Sequence, residues 1–179
     1  MKNWNVIITV FQDGFRCALR VLRELGPIER SPYHNVLVMK VSDPIALLAA
    51  SESKIEQSAA LYDAIFRVAP ALRIFEFISK IKFLDEAKRM VRDWSQEMNG
   101  WSFHVRLHRR GTKHNLGTQD TEHKLNDAVI EATQKAGVPA KISFTDADAV
   151  IAIGTIDERA GMSLWTREDL ARHRLLRPD

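Results

Sequence analysis

The residues with the clearest chemical potential lie close together, in the stretch FHVRLHRRGTKHNLG at positions 103–117. It holds three histidines, three arginines and one lysine, and it contains no acid. Side chains of these types can ligate a metal, transfer a proton or contact phosphate groups. Their spacing, and the helices and strands that carry them, decide between these three chemistries.

A metal site is the weakest of the three interpretations. Residues 101–108 alternate between apolar and polar side chains, which predicts a strand. On such a strand His104 and His108 share a face but lie roughly 13 Å apart, which is too far to bind one ion. The neighbours that would complete the site include Arg109 and Arg110, which repel a cation, and no carboxylate or cysteine is interleaved. No metal is therefore expected.

Nucleophilic catalysis has little support in the sequence. The single cysteine, Cys17, falls within an amphipathic helical pattern, where a small buried side chain is the ordinary interpretation. The chain has no nucleophile elbow and no glycine-rich nucleotide loop. We therefore expect no catalytic residue and no cofactor. A small enzyme with an unrecognised site around His104, His108 and His114 remains the alternative.

Phosphate contact is the interpretation that the spacing favours. A polar strand face is followed by a basic loop and then by the start of a helix, where free backbone N–H groups add to the cationic side chains. A solvated charged loop, or an interaction module for an acidic protein, is the alternative. The candidate RNA-binding residues are Arg106, His108, Arg109, Arg110, Lys113, His114 and, on the following helix, Lys124.

Composition is that of a globular protein. The 179 residues are 45% hydrophobic and 27% charged, with a net charge of +3. No apolar run approaches the roughly 18–20 residues needed to span a bilayer. The apolar N-terminal run lacks a cleavage site, and one cysteine permits no intrachain disulfide. We therefore expect a cytoplasmic protein without a membrane partner.

The elements divide into two α/β pieces, residues 1–77 and 78–179, which gives an α+β fold class. The first piece has the order strand, helix, strand, strand, helix, strand, which is typical of a ferredoxin-like domain. Its main predicted elements are strands at Trp4–Phe11 and Val36–Val41, a helical stretch at Lys54–Phe66 and an extended segment at Arg67–Phe77. The second piece combines helices with a mixed sheet. Its main predicted elements are an opening helix, a strand at Trp101–His108, a helix at Thr118–Ala136 and strands at Ala147–Ile156 and Ala160–Thr166.

Four stretches of the second piece resemble the THUMP domain, an RNA-binding module of tRNA-modifying proteins. They are FHVRLHRRGTKHNLGTQD, AGVPAKI, DADAVIAIGTI and AGMSLWTRED, in that order. The first piece, with RVAPALRIFEF at the junction, resembles the N-terminal ferredoxin-like domain that precedes THUMP in 4-thiouridine synthases and in tRNA acetylation adaptors.

The resemblance implies a function. In this family the two domains together recognise tRNA, toward the acceptor stem and its CCA end, while a separate domain or protein modifies the base. We expect no PP-loop or methyltransferase domain in this sequence, so it is most similar to the stand-alone adaptors of cytidine acetylation. The implied protein is a non-enzymatic tRNA-binding adaptor that presents tRNA to a modification enzyme in trans. A partner in thiolation or methylation is the alternative.

Overall fold

The structure, a computed structural model, describes residues 2–111 and 116–178. The chain forms two compact units. The first unit contains residues 2–72 and 170–177, and the second contains residues 73–169 and Pro178. Each unit combines helices with one sheet, which confirms the predicted α+β class.

The first unit has a four-stranded sheet in the order β2-β3-β1-β4, in which all neighbours are antiparallel. This is the strand order that a ferredoxin-like fold has. The strands are β1 (Val6–Val10), β2 (Ile28–Arg30), β3 (Val36–Met39) and β4 (Ile65–Pro70). The helices are α1 (Phe15–Leu22), which a 3₁₀ turn at Arg23–Leu25 extends, α2 (Pro44–Glu56) and α3 (Ala59–Tyr62).

The second unit has a five-stranded mixed sheet in the order β5-β9-β8-β6-β7. The central strand pair β6 and β8 is parallel, β7 is parallel to β6, and β9 is antiparallel to both β8 and β5. The strands are β5 (Arg73–Glu76), β6 (Ser102–His108), β7 (Lys141–Ile142), β8 (Ala149–Ile156) and β9 (Arg159–Thr166). The helices are α4 (Lys80–Ser95) and α5 (Thr118–Lys135), and the short α6 (Arg167–Arg172) begins in this unit and ends in the first one.

The extended segment predicted at Arg67–Phe77 is divided between the two sheets. Its first part belongs to β4, which pairs with β1, and its second part is β5, which pairs with β9. The units therefore separate between Leu72 and Arg73 and not at the predicted boundary after residue 77. The predicted helical stretch at Lys54–Phe66 is wrong at its end, because Ile65 and Phe66 already pair within β4.

The core of the second unit lies between its sheet and the helices α4 and α5. Phe103, Val105 and Leu107 alternate along β6 and all enter this core, as the sequence pattern predicts. Phe83 of α4 is fully buried beside the rings of two other phenylalanines, at centroid distances of 5.5 and 5.1 Å. The core therefore fixes β6 and the start of α5 on one scaffold.

One carboxylate anchors the beginnings of β6 and β8 to each other. Asp148 accepts hydrogen bonds from the backbone N–H and the hydroxyl of Ser102, both at 2.8 Å. Its other oxygen lies 2.9 Å from the guanidinium of Arg167. The two bonds from Ser102, and secondarily the charge of Arg167, lower the pKa of Asp148.

This anchor predicts an acid-sensitive contribution to stability. Because the folded-state pKa of Asp148 is depressed, its contribution is present above the unfolded value near 3.8 and is lost as the pH falls through the folded value. Asp148→Asn should lower the free energy of unfolding at pH 7, and the difference from the parent should shrink below pH ~4. Denaturant unfolding of the parent and of the variant, at pH 7 and below pH ~4, measures this difference in free energy. Asp146→Asn is the control. The Asp146 carboxylate also contacts Arg167, but the Ser102 N–H donates to Asp148 and not to Asp146. Equal pH dependence of the two variants would contradict the role of Asp148.

Candidate nucleic-acid interface

The polar face of β6 is less open than the sequence suggests. The prediction that His104 lies on an exposed cationic face is wrong, because its side chain is buried and its Nδ1 donates to the Ser143 carbonyl at 2.8 Å. Arg106 and His108 are half-buried. The Nε2 atom of His108 lies 2.6 Å from the Pro178 carbonyl oxygen, so Nε2 carries the proton and donates it. The second face of β6 is therefore polar, but its groups are largely engaged within the protein.

The two arginines after β6 have different environments. Arg109 is exposed, whereas Arg110 is half-buried and burial lowers the pKa of its guanidinium. The backbone of Arg110 continues the pairing with the end of β8: its N–H lies 3.2 Å from the Thr155 carbonyl, and its carbonyl accepts from Asp157 at 3.1 Å. Arg110 is thus fixed by its backbone, and Arg109 is the more accessible of the two arginines.

The next part of the loop was also predicted to contact RNA. Gly111, with φ of 105°, adopts a left-handed conformation where the chain leaves the sheet, a conformation that favours glycine. Lys113 and His114 lie outside the described residues. The described chain resumes at Leu116, which is buried in the core, and α5 begins after Gly117.

Lys124, the last predicted residue, lies in the second turn of α5 and shares a carboxylate with a second lysine. Its Nζ is 2.8 Å from an oxygen of Asp120, and the Nζ of Lys80 is 2.9 Å from the same oxygen. The hydrogen bonds from Lys124 and Lys80 lower the pKa of Asp120 to about 2, so it is ionised at neutral pH. These three groups carry a net charge of +1.

Lys80 and Lys82 are functional candidates that the sequence argument missed. Both lie in the first turn of α4, whose N-cap is Ser79 and whose first turn holds no acid. Cations at this end oppose the helix dipole, so their placement is unfavourable for the isolated helix. The sequence signal is ISKIK at positions 78–82, which has fewer cations than the basic stretch at positions 103–117.

Three segments that carry cations meet at one edge of the second unit, namely the end of β6 and the starts of α4 and α5. The end of β6 lies beside α5, because the Leu107 N–H donates to the Glu122 carboxylate at 2.7 Å. Arg109 directly follows the end of β6, and Asp120, which pairs with Lys80 and Lys124, joins the start of α5 to the start of α4. We call the four accessible cations at this edge the cationic rim; they are Lys80, Lys82, Arg109 and Lys124.

Comparison with solved structures identifies the fold that carries this rim. PH1313 from Pyrococcus horikoshii superposes with a TM-score of 0.59 at 15% identity over 90% of this chain, and TrmN from Thermus thermophilus with 0.59 at 14% over 89%. A 4-thiouridine synthetase, solved as a complex with RNA and bound ATP, gives 0.54 at 12% over 89%. The chain has the THUMP fold.

The matched proteins are longer than this chain. The chain spans 54% of the PH1313 structure, 44% of TrmN and 40% of the 4-thiouridine synthetase. No protein-family model matches the sequence, and a search of curated proteins finds no match. The similarity therefore shows the fold alone, and it extends over nearly the whole chain.

In the second unit, α5 covers the part of the β6 edge that does not pair with β7. The strand β7 pairs only with the first two residues of β6. Beyond them, the Val105 N–H donates to the buried side chain of Asn126 at 3.0 Å, and the Leu107 N–H donates to Glu122. Side-chain acceptors on α5 thus replace a neighbouring strand, which protects the edge and holds the helix in register with β6.

Among residues 2–111 and 116–178, no group of three or more histidine, cysteine, aspartate or glutamate side chains is placed to hold a metal ion. In the same ranges, no helix has both the length and the apolar character needed to cross a bilayer.

Proposed function

We propose that this protein is a tRNA-binding adaptor, which holds tRNA in its acceptor-stem region and presents it to a base-modification enzyme that acts in trans, as in tRNA acetylation. In this role the protein binds the tRNA, and the partner enzyme carries out the reaction. Its contacts are with phosphates and with the shape of the RNA, because A-form helices hide most base edges from protein side chains.

The observation that supports this function best is the cationic rim on a THUMP fold. Four accessible cations lie at the edge where β6 ends and α4 and α5 begin, and two of them, Lys80 and Lys124, pair with Asp120. Guanidinium and ammonium groups bind phosphate oxygens, and helix starts add N–H donors. A 4-thiouridine synthetase with the same fold was solved in complex with RNA, which makes RNA the polyanion of choice.

The rim is not purely cationic, and this favours one further candidate function. Ile78 and Ile81, which flank Lys80, are 77% and 71% exposed. Large aliphatic side chains with this exposure are common in surfaces that bind proteins. The second candidate is therefore a protein-interaction module. Its partner would be a protein whose surface has an apolar patch with acidic residues around it. Failure to bind tRNA even at low salt would favour it over the adaptor.

Replacement of Asp120, which pairs with two lysines of the cationic rim, tests the RNA-binding function because the affinity for tRNA should rise. Asp120→Asn releases Lys80 and Lys124 from their shared carboxylate, and it raises the local charge by one unit. We expect tRNA to bind about fivefold more tightly near 0.15 M salt, with a steeper salt dependence equivalent to roughly one more phosphate contact. Titration of a tRNA transcript across a series of salt concentrations measures both quantities.

The matched control for this change is on the same helix. Glu131→Gln removes a carboxylate that also pairs with a lysine four residues later, Lys135, at the far end of α5. Its tRNA affinity should equal that of the parent. Binding that is unchanged or weakened in Asp120→Asn, or raised equally by both variants, would place the RNA elsewhere.

A further inference from the structure

The first unit carries an aromatic cluster that its own fold does not bury. The rings of Phe11 and Phe66 meet edge to face, with centroids 5.4 Å apart. Phe11 is 43% exposed and Phe66 is partly exposed. The guanidinium of Arg177 lies 5.1 Å from the centroid of Phe66, so a third flat group adjoins the pair.

The backbone around Phe11 holds this cluster in place. The register of β1 against β4 shifts between Thr9 and Val10, and the Phe11 N–H donates to the Ala64 carbonyl at 3.0 Å. Gly14 closes the turn that follows Phe11, and a Cβ atom at this position would lie 2.3 Å from the Ala64 Cα. The turn therefore packs directly on the chain that leads to Phe66, and only glycine permits this approach.

Arg177 is also positioned by its main chain. Its φ of 32° is unusual for a residue with a side chain. Its carbonyl accepts from the side chain of Arg67, which is buried, at 3.5 Å, and its own Nε lies 3.3 Å from the Arg174 carbonyl. The guanidinium is thus held over Phe66 by the contact of its main chain and by its own Nε.

Exposed aromatic rings with an adjoining guanidinium form the kind of surface on which unpaired bases stack. Asp13 and Asp63, both exposed, lie two and three residues from the two rings in sequence, and acids disfavour a phosphate contact more than a contact with a neutral base. We propose that the cluster of Phe11, Phe66 and Arg177 stacks an unpaired base of the bound RNA. The inference rests on the proposed function, and it assigns three side chains of the first unit to the contact with an unpaired nucleotide.

Two RNA hairpins with the same stem test the inference in the full-length protein. One is blunt, and the other carries a short single-stranded overhang that contains the fluorescent base 2-aminopurine. The overhang should raise affinity by roughly 5- to 100-fold, the range for stacking one base, and binding should change the 2-aminopurine fluorescence. Phe11→Leu and, separately, Arg177→Gln should each reduce the preference for the overhang severalfold.

The salt dependence and a matched variant separate stacking from other effects. Phe11→Leu should leave the salt dependence unchanged, since no phosphate contact is lost. Phe144→Leu is the control, because Phe144 is also an exposed ring, at 57%, but belongs to the second unit. It should retain the full preference for the overhang. Arg177→Gln supplies an independent result if Phe11→Leu does not fold.

The outcomes distinguish this inference from the function on which it rests. Equal binding of both hairpins, with unchanged 2-aminopurine fluorescence, would overturn the stacking site while leaving RNA binding intact. A preference for the overhang that survives both Phe11→Leu and Arg177→Gln would also overturn it, because the unpaired base would then stack elsewhere. Binding of neither hairpin would overturn the proposed function itself.

Discussion

Arg109→Ala combined with Lys124→Ala is expected to weaken tRNA binding by roughly thirtyfold near 0.15 M salt, because each lost phosphate contact costs about fivefold in affinity there. The logarithmic salt slope should become shallower by about 1.8, which corresponds to two contacts at about 0.9 each. Both side chains are accessible, and neither is packed in the core. The folding free energy should therefore change little, and equilibrium titration over a range of salt concentrations measures the effect.

The control for this double variant removes the same charges from other positions. Arg89→Ala with Lys135→Ala also deletes one arginine and one lysine, each exposed and each paired with an acid on its own helix. This variant should show at most the small loss expected from a lower overall charge. If both double variants weaken binding equally, RNA is attracted by net charge alone and the cationic rim has no special role.

Arg110 is left unchanged in this experiment because its environment differs from that of its neighbour. Its guanidinium is partly buried, which lowers its pKa, and its backbone pairs with the end of β8. Replacing a half-buried arginine removes packing as well as charge. A loss of RNA binding in an Arg110 variant would therefore not separate a phosphate contact from a local change in structure.

The parts of the fold that the sequence predicted are those in which one pattern has one physical solution. The alternation from Phe103 to Leu107 requires a strand with one buried face, and the structure places that face in the core. The double-sided apolar run around Ile151 requires a central strand, and β8 lies between β6 and β9. A helix that ends near Gly137 follows from the apolar spacing and the glycine that stops it, and α5 ends at Lys135.

Other features depend on partners that are distant in sequence, and local patterns do not encode them. The strand β5 looks like a continuation of β4, and only its pairing with β9 assigns it to the second sheet. His104 alternates like an exposed residue, yet the carbonyl of Ser143, 39 residues later, holds it in a buried position. Lys80 is 40 residues from Asp120, so their pairing, and with it half of the cationic rim, emerges only from the packing of α4 on α5.

The edge of β6 gives the second large expected effect. Asn126→Ala removes the acceptor for the Val105 N–H, which is buried between the sheet and α5. A buried donor left without a partner costs about 1–3 kcal/mol, so the free energy of unfolding should fall by about that amount. Denaturant unfolding measures it. Asp127→Ala, at the adjacent exposed position of the same helix, should change stability by less than about 0.5 kcal/mol.

Hydrogen exchange separates loss of this one bond from general loosening of the helix. In Asn126→Ala the Val105 amide should exchange faster relative to the Leu107 amide, whose acceptor, Glu122, is retained. Equal acceleration of both amides would mean that α5 detaches as a whole, and no change at Val105 would mean that Asn126 does not hold the edge. Because Lys124 lies between Glu122 and Asn126 on α5, detachment of the helix would show that Asn126 also holds this cation of the rim against the end of β6.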